Sequence, residues 1–236
     1  MLADKTTAKI VGLLFIAATA AAALSQVVLG SPLDDADYLT NLAADEATVR
    51  IGAVLDLVTA AAVVAIPVML YPILKRHDDT VAVGYLIARA LEAVVIVVGA
   101  IGLLTLLALS QDLVATAPTD SSSFETIGSM LLASRDLTDA LGTQLIFSLT
   151  AFILNYSLYQ TRLVPRFISI WGLVGAPLML AAGLLGLFGR DPFSTTLVAL
   201  ALPLAINEMV LALWLIIRGF NPAPTGSNAS RGPVTV

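Results

Sequence analysis

The stretch VAVGYLIARALEAVVIVVGAIGLLTLLAL, from Val81 to Leu109, carries only two charged residues, Arg89 and Glu92, in an otherwise apolar run. A helix rises about 1.5 Å per residue and the hydrocarbon core of a bilayer is roughly 30 Å thick, so about 20 such residues suffice to cross it. The run is continuous rather than alternating. In lipid that favours a helix, which satisfies its own backbone groups, over a barrel strand, which would alternate over about ten residues.

Working outward, five further runs of the same kind cover residues 9–30, 51–74, 137–159, 167–188 and 195–217. With 81–109 they predict an all-α fold, a polytopic membrane bundle of six transmembrane helices occupying residues 1–220. Residues 221–236 are rich in Pro, Gly, Ser and Asn and are expected to form a disordered cytoplasmic tail. The composition agrees: 58% of residues are hydrophobic, 12% are charged and the mean hydropathy is +0.93. A soluble domain has about a quarter of its residues charged.

Orientation follows from the basic residues of short loops. Lys5, Lys9, Lys75, Arg76, Arg162, Arg166, Arg218 and Arg231 fall on one side of a six-span chain, and Asp34, Asp35, Asp37, Asp45, Glu46, Asp112, Asp120 and Glu125 on the other with Arg190 and, at helix ends, Arg50 and Arg135. Both termini are therefore expected in the cytoplasm, with the chain in the plasma membrane. Lys5 and Lys9 before a run containing Ala21-Ala22-Ala23 loosely resemble a signal peptide, but the run is long and further spans follow, so its retention is expected. Asn228-Ala229-Ser230 fits a glycosylation pattern by chance, on the cytoplasmic side.

Pro67, Pro177 and Pro203 lie inside spans and each removes a backbone donor, so kinks are expected there. Gly172, Gly175, Gly183, Gly186 and Gly189 permit close helix approach without fixing an oligomeric state.

Charge inside a span costs about 2.5–3.5 kcal/mol per residue at the centre on insertion scales, so such residues face protein or water. Counted at 1.5 Å per residue from the span ends, Arg89 and Glu92 lie about 12 and 16 Å deep and Glu208 about 18 Å deep, beside Asn207. These four form a candidate intramembrane polar cluster, read first as a neutralised ion pair that fixes helix register and otherwise as an ion or substrate site with Glu208 the expected proton or cation carrier. Arg50, Asp56, Arg135, Asp136 and Asp139 form a candidate ionic layer nearer the outer surface. Gln144, Ser148 and Asn155 recur at near-helical spacing and read as interhelical hydrogen-bonding groups.

Absences exclude several chemistries. The chain has no cysteine and one histidine, His77, in a loop. Thiolate nucleophiles, a membrane zinc protease helix, a serine–histidine pair and bis-histidine haem ligation within the bundle all lack their residues. No lysine lies deep in a span to anchor a retinal. Neither cofactor nor metal is implied, catalytic residues are not evident, and no basic cluster suggests nucleic acid. The partner implied is the lipid bilayer.

Several stretches also carry a resemblance: Ala8-Lys9-Ile10-Val11-Gly12-Leu13-Leu14-Phe15, Arg50-Ile51-Gly52, Arg89-Ala90-Leu91-Glu92, Arg162-Leu163-Val164-Pro165-Arg166-Phe167 with Trp171-Gly172-Leu173-Val174-Gly175, and Glu208 followed by Leu213-Trp214-Leu215-Ile216-Ile217-Arg218-Gly219. The chain resembles the prokaryotic integral-membrane family catalogued as domain of unknown function 4386 from about Lys5 to Phe220. The resemblance implies six membrane helices and brings no substrate or catalytic residue. Where some relatives carry histidine this chain has Arg135-Asp136-Leu137-Thr138-Asp139, so a histidine-dependent role does not carry over.

The function expected from these residues is transport or permeation of a small solute, ion or proton along a polar path between helices. A membrane-embedded partner or sensor subunit is the alternative, and an intramembrane lipid enzyme, limited to carboxylates and Arg89, the third.

Overall fold

A computed structural model of the chain describes residues 2–33, 37–190 and 194–221. The expected tail beyond Asn221 and the acidic residues Asp34 and Asp35 lie outside the described residues. The elements are α1 (Leu2–Leu33), a short α2 (Tyr38–Ala44), α3 (Glu46–Leu74), α4 (Asp79–Thr116), α5 (Ser122–Asp139), a π-helical segment (Ala140–Ile146), α6 (Phe147–Thr161), α7 (Arg166–Leu187) and α8 (Thr195–Ile217), with no strand among the described residues. Six of the helical stretches are long and apolar enough to cross a membrane, with α5, the π segment and α6 running together as the fourth.

Helices extend past the apolar runs wherever local chemistry supports them. The α4 helix starts at a true cap, with the Asp78 carboxylate accepting from Val81 N–H at 3.0 Å, and it carries on to Thr116. Asp112 and Glu125, expected in loops, sit on α4 and α5. The α5 helix begins fifteen residues before the apolar run at Leu137, because Ser122–Asp136 is a polar-rich helix and hydropathy alone does not register it. Just ahead of it the Asp120 carboxylate accepts from Ser122 N–H at 2.9 Å, which holds its pKa below the usual carboxylate value. Helices α3, α7 and α8 run on through Pro67, Pro72, Pro177 and Pro203.

Each spanning helix packs on its sequence neighbours, α1 on α3, α3 on α4, α4 on the α5–α6 helix, α6 on α7 and α7 on α8, and α8 returns to α1. The six therefore close into a ring. Lipid tails are as apolar as these side chains, so close packing and buried polar contacts hold such a ring, not exclusion from water. Gly12 shows the closeness: a Cβ there would sit 2.6 Å from the Ala212 carbonyl oxygen and 2.7 Å from Ile216. At Gly175 a Cβ would meet the Leu204 backbone at 3.1 Å.

One end of the ring is sealed. Phe15, Ile66, Leu70, Leu74, Tyr85, Leu154, Leu158, Ile168, Leu211 and Leu215 pack into one apolar core at the end that carries Lys75 and Arg162. The Arg162–Arg166 stretch builds part of that seal. Arg162 ends α6 in the left-handed conformation at φ 55°, which turns Leu163 and Val164 into the core, and Asn221 clamps the turn by donating to the carbonyls of Leu163 (2.7 Å) and Arg162 (3.0 Å). Arg166 lies over the Tyr159 ring.

Candidate functional site

Above the seal, the ring holds a half-open cavity of about 310 Å³ lined by α1, α3, α4, α5, α7 and α8 together with Phe147 of α6. Its walls are mainly small or apolar: Ala18, Ala22, Ala23, Val63, Val95, Ile96, Gly99, Met179 and Ala205. Its polar groups fall at two levels.

The deeper level is built on Arg89 and Glu92, which α4 places one turn apart on a single face. The Arg89 guanidinium reaches Glu92 Oε1 at 3.0 Å and Oε2 at 3.3 Å, and both side chains are almost wholly enclosed, at 3% and 5% exposure. Glu208 arrives from α8, its Oε1 3.6 Å from Arg89 and its side chain 15% exposed. Two threonines complete the group: Thr150 of α6 donates to Glu92 at 3.1 Å, and Thr19 of α1 donates to Glu208 at 3.1 Å. The rings of Phe15, Tyr85 and Phe147 surround the guanidinium, with centroids 6.0, 5.7 and 5.2 Å away, and the Tyr85 hydroxyl accepts from its Nε at 3.3 Å. Counted from the basic ends of their helices, Arg89 and Glu208 each lie about 15 Å in, close to the middle of a roughly 30 Å core.

The second level lies nearer the other end. Arg135 of α5 reaches Asp56 of α3 at 3.7 Å, and Ser25 of α1 donates to Asp56 at 2.6 Å. Thr138, Asp139 and Gln26 line the cavity beside them. Across both levels the lining holds four carboxylates, Asp56, Glu92, Asp139 and Glu208, against two guanidiniums, Arg89 and Arg135. The formal excess is two negative charges.

Not every sequence candidate joins these levels. Arg50 pairs with Glu46 one turn away at 2.6 Å on an exposed face, away from Asp56. The apolar run starts only at Ile51, whereas α3 is continuous from Glu46. Asp136 is exposed and is not part of the cavity lining, because it lies one residue round the helix from Arg135. Asn207 is buried but donates to the Ile168 carbonyl at 2.8 Å, pinning α8 to α7 instead of meeting the carboxylates. Ser148 and Asn155 donate to carbonyls of their own helix, at Leu145 and Ala151. Thr19 and Thr150 leave no mark in the sequence because a threonine hydroxyl in an apolar helix is ordinarily satisfied by its own backbone, and Tyr85 reads there as one more ring of the apolar face. Only their spacing from Glu208, Glu92 and Arg89 in three dimensions marks them.

The π segment Ala140–Ile146 separates the two levels on the fourth helix, between Arg135 and Thr150. Such segments are rare and frequent at functional sites.

Compared with known proteins, the chain matches over residues 10–219 the family model described as Domain of unknown function (DUF4386). No curated protein and no solved structure matches it.

Proposed function

The chain belongs to the DUF4386 family, and on that premise we propose that it is a plasma-membrane transport or permeation protein for a small solute, with both termini in the cytoplasm. The observation that carries the reading is the cavity of about 310 Å³ whose floor is the buried Arg89–Glu92 pair with half-buried Glu208. Ionisable groups are costly at that depth, and a purely structural ion pair is best served by dry, complete packing. Here an open volume adjoins it instead. Lys75, Arg76, Arg162, Arg166 and Arg218 gather at the sealed end, which supports an orientation with the seal at the cytoplasmic face and the cavity toward the outside.

Transport requires the cavity floor to be reached from both faces in turn. A membrane receptor or sensor needs access from one face only. Thr19 touches the floor through Glu208, and the chain has no native cysteine to confuse the measurement. Thr19→Cys, probed with a membrane-impermeant thiosulfonate in right-side-out and inverted vesicles, should label from both faces, faster from outside. Labelling from the outer face alone would replace transport by the sensor reading.

A further inference from the structure

Resting on the reading of the cavity as a solute site, we propose that its solute is an organic monocation with a compact apolar body, its cationic head held by Glu208. Three observations converge on this. The lining carries four carboxylates against two guanidiniums, so an anion entering the cavity meets a net repulsion. Beside the charged groups the wall is chiefly alanine, valine, isoleucine and methionine with the Phe147 ring, interrupted by the Thr59 hydroxyl, which suits a hydrocarbon or aromatic body better than a polar one. The volume of about 310 Å³ lies at the small end of ligand pockets, which run from about 300 to 1,000 Å³.

The choice of Glu208 follows from how Arg89 is shared. Both carboxylate oxygens of Glu92 lie within 3.3 Å of the guanidinium, and Thr150 donates to one of them. Glu92 and Arg89 thus neutralise each other. Glu208 stands 3.6 Å from the guanidinium and keeps three times the exposure of Glu92, 15% against 5%. Its charge is the one left over at the floor, and it faces open volume. A bare divalent cation fits less well. Calcium takes six to eight oxygen ligands and magnesium near-ideal octahedral geometry, whereas the cavity floor offers Glu208 and the Thr19 hydroxyl, the Glu92 oxygens being engaged. An ammonium head needs only one carboxylate and the apolar wall behind it.

The test uses the full chain in detergent micelles at neutral pH and three probes of similar size: phenethylamine as the cation, 2-phenylethanol as the neutral and 3-phenylpropionate as the anion. Titration calorimetry should show phenethylamine binding at least tenfold more tightly than the other two. Glu208→Gln should erase that preference. Ala22→Phe, which fills the cavity from α1 and leaves the floor residues in place, should abolish binding even where Glu208→Gln fails to fold. Equal affinity for cation and neutral, retention of the preference in folded Glu208→Gln, or undiminished binding in Ala22→Phe would overturn the proposal. Sodium chloride binding in the amine's place, with the same dependence on Glu208, would assign an inorganic cation and overturn it as well. The two readings fail separately. Amine preference without labelling of Thr19→Cys from the cytoplasmic face retires transport alone, and labelling from both faces without amine preference retires the monocation alone.

Discussion

Arg89 is the residue on which the interior depends. Buried Glu92, half-buried Glu208 and three aromatic rings converge on its guanidinium, so deleting it removes the positive charge at the cavity floor. Breaking a buried ion pair by removing one partner costs about 3–5 kcal/mol, because the other charge is left uncompensated. Arg89→Ala should therefore lower the midpoint of thermal unfolding in detergent sharply, whereas the triple change Arg89→Met, Glu92→Gln, Glu208→Gln should recover most of the loss. A triple variant no more stable than Arg89→Ala would show that packing, not charge balance, sets the cost. The residues of the floor were legible in the sequence because charge is rare in an apolar run and depth can be counted along a helix. Their hydroxyl partners Thr19 and Thr150 were not, and Arg50 and Asn207 were grouped by proximity in the chain with partners they do not have. Burial and side-chain direction are tertiary properties, which neither spacing nor hydropathy encodes.

At the scale of the element, the fourth spanning helix departs most from what hydropathy outlines. Its polar first half, α5, carries Arg135 to Asp56, and its second half, α6, carries Thr150 to Glu92, with the π segment between them. One residue in a helix turns it by about 100°, so the extra residue of a π turn decides whether both halves face the cavity at once. Deleting Leu141 should rotate Arg135 away from Asp56 while α6 keeps its place. In the pair Asp56→Cys, Arg135→Cys a short bifunctional thiol reagent should link α3 to α5 in the full-length chain and fail to do so after the deletion. Unchanged crosslinking would show that α5 is indifferent to the π segment. Neither the segment nor the length of α5 could be read from the sequence, since polar residues there mask a helix and a π turn leaves no compositional mark. The six spans themselves were plain, because nothing but a helix satisfies twenty apolar residues in lipid.

At the scale of the whole molecule, the sequential ring is closed where α1 meets α8. Gly12 against the Ala212 carbonyl is the contact that closes it, and a carbonyl cannot step aside as a side-chain tip can. Gly12→Val should cost about 1–3 kcal/mol, the usual range for overpacking, and should be read as a lower unfolding midpoint; wild-type stability would mean that α1 and α8 are not so closely held. The ring also has a polarity, a seal of packed apolar side chains with the basic loops at one end and a charged cavity toward the other. That one-sided chamber is the central claim, and cysteine accessibility tests it most directly, in a chain with no cysteine of its own. Ala22 lines the cavity and Leu70 lies in the seal at 1% exposure. With a charged, membrane-impermeant maleimide added to right-side-out vesicles, Ala22→Cys should label readily and Leu70→Cys should not. Labelling of Leu70→Cys with Ala22→Cys inert would contradict the account.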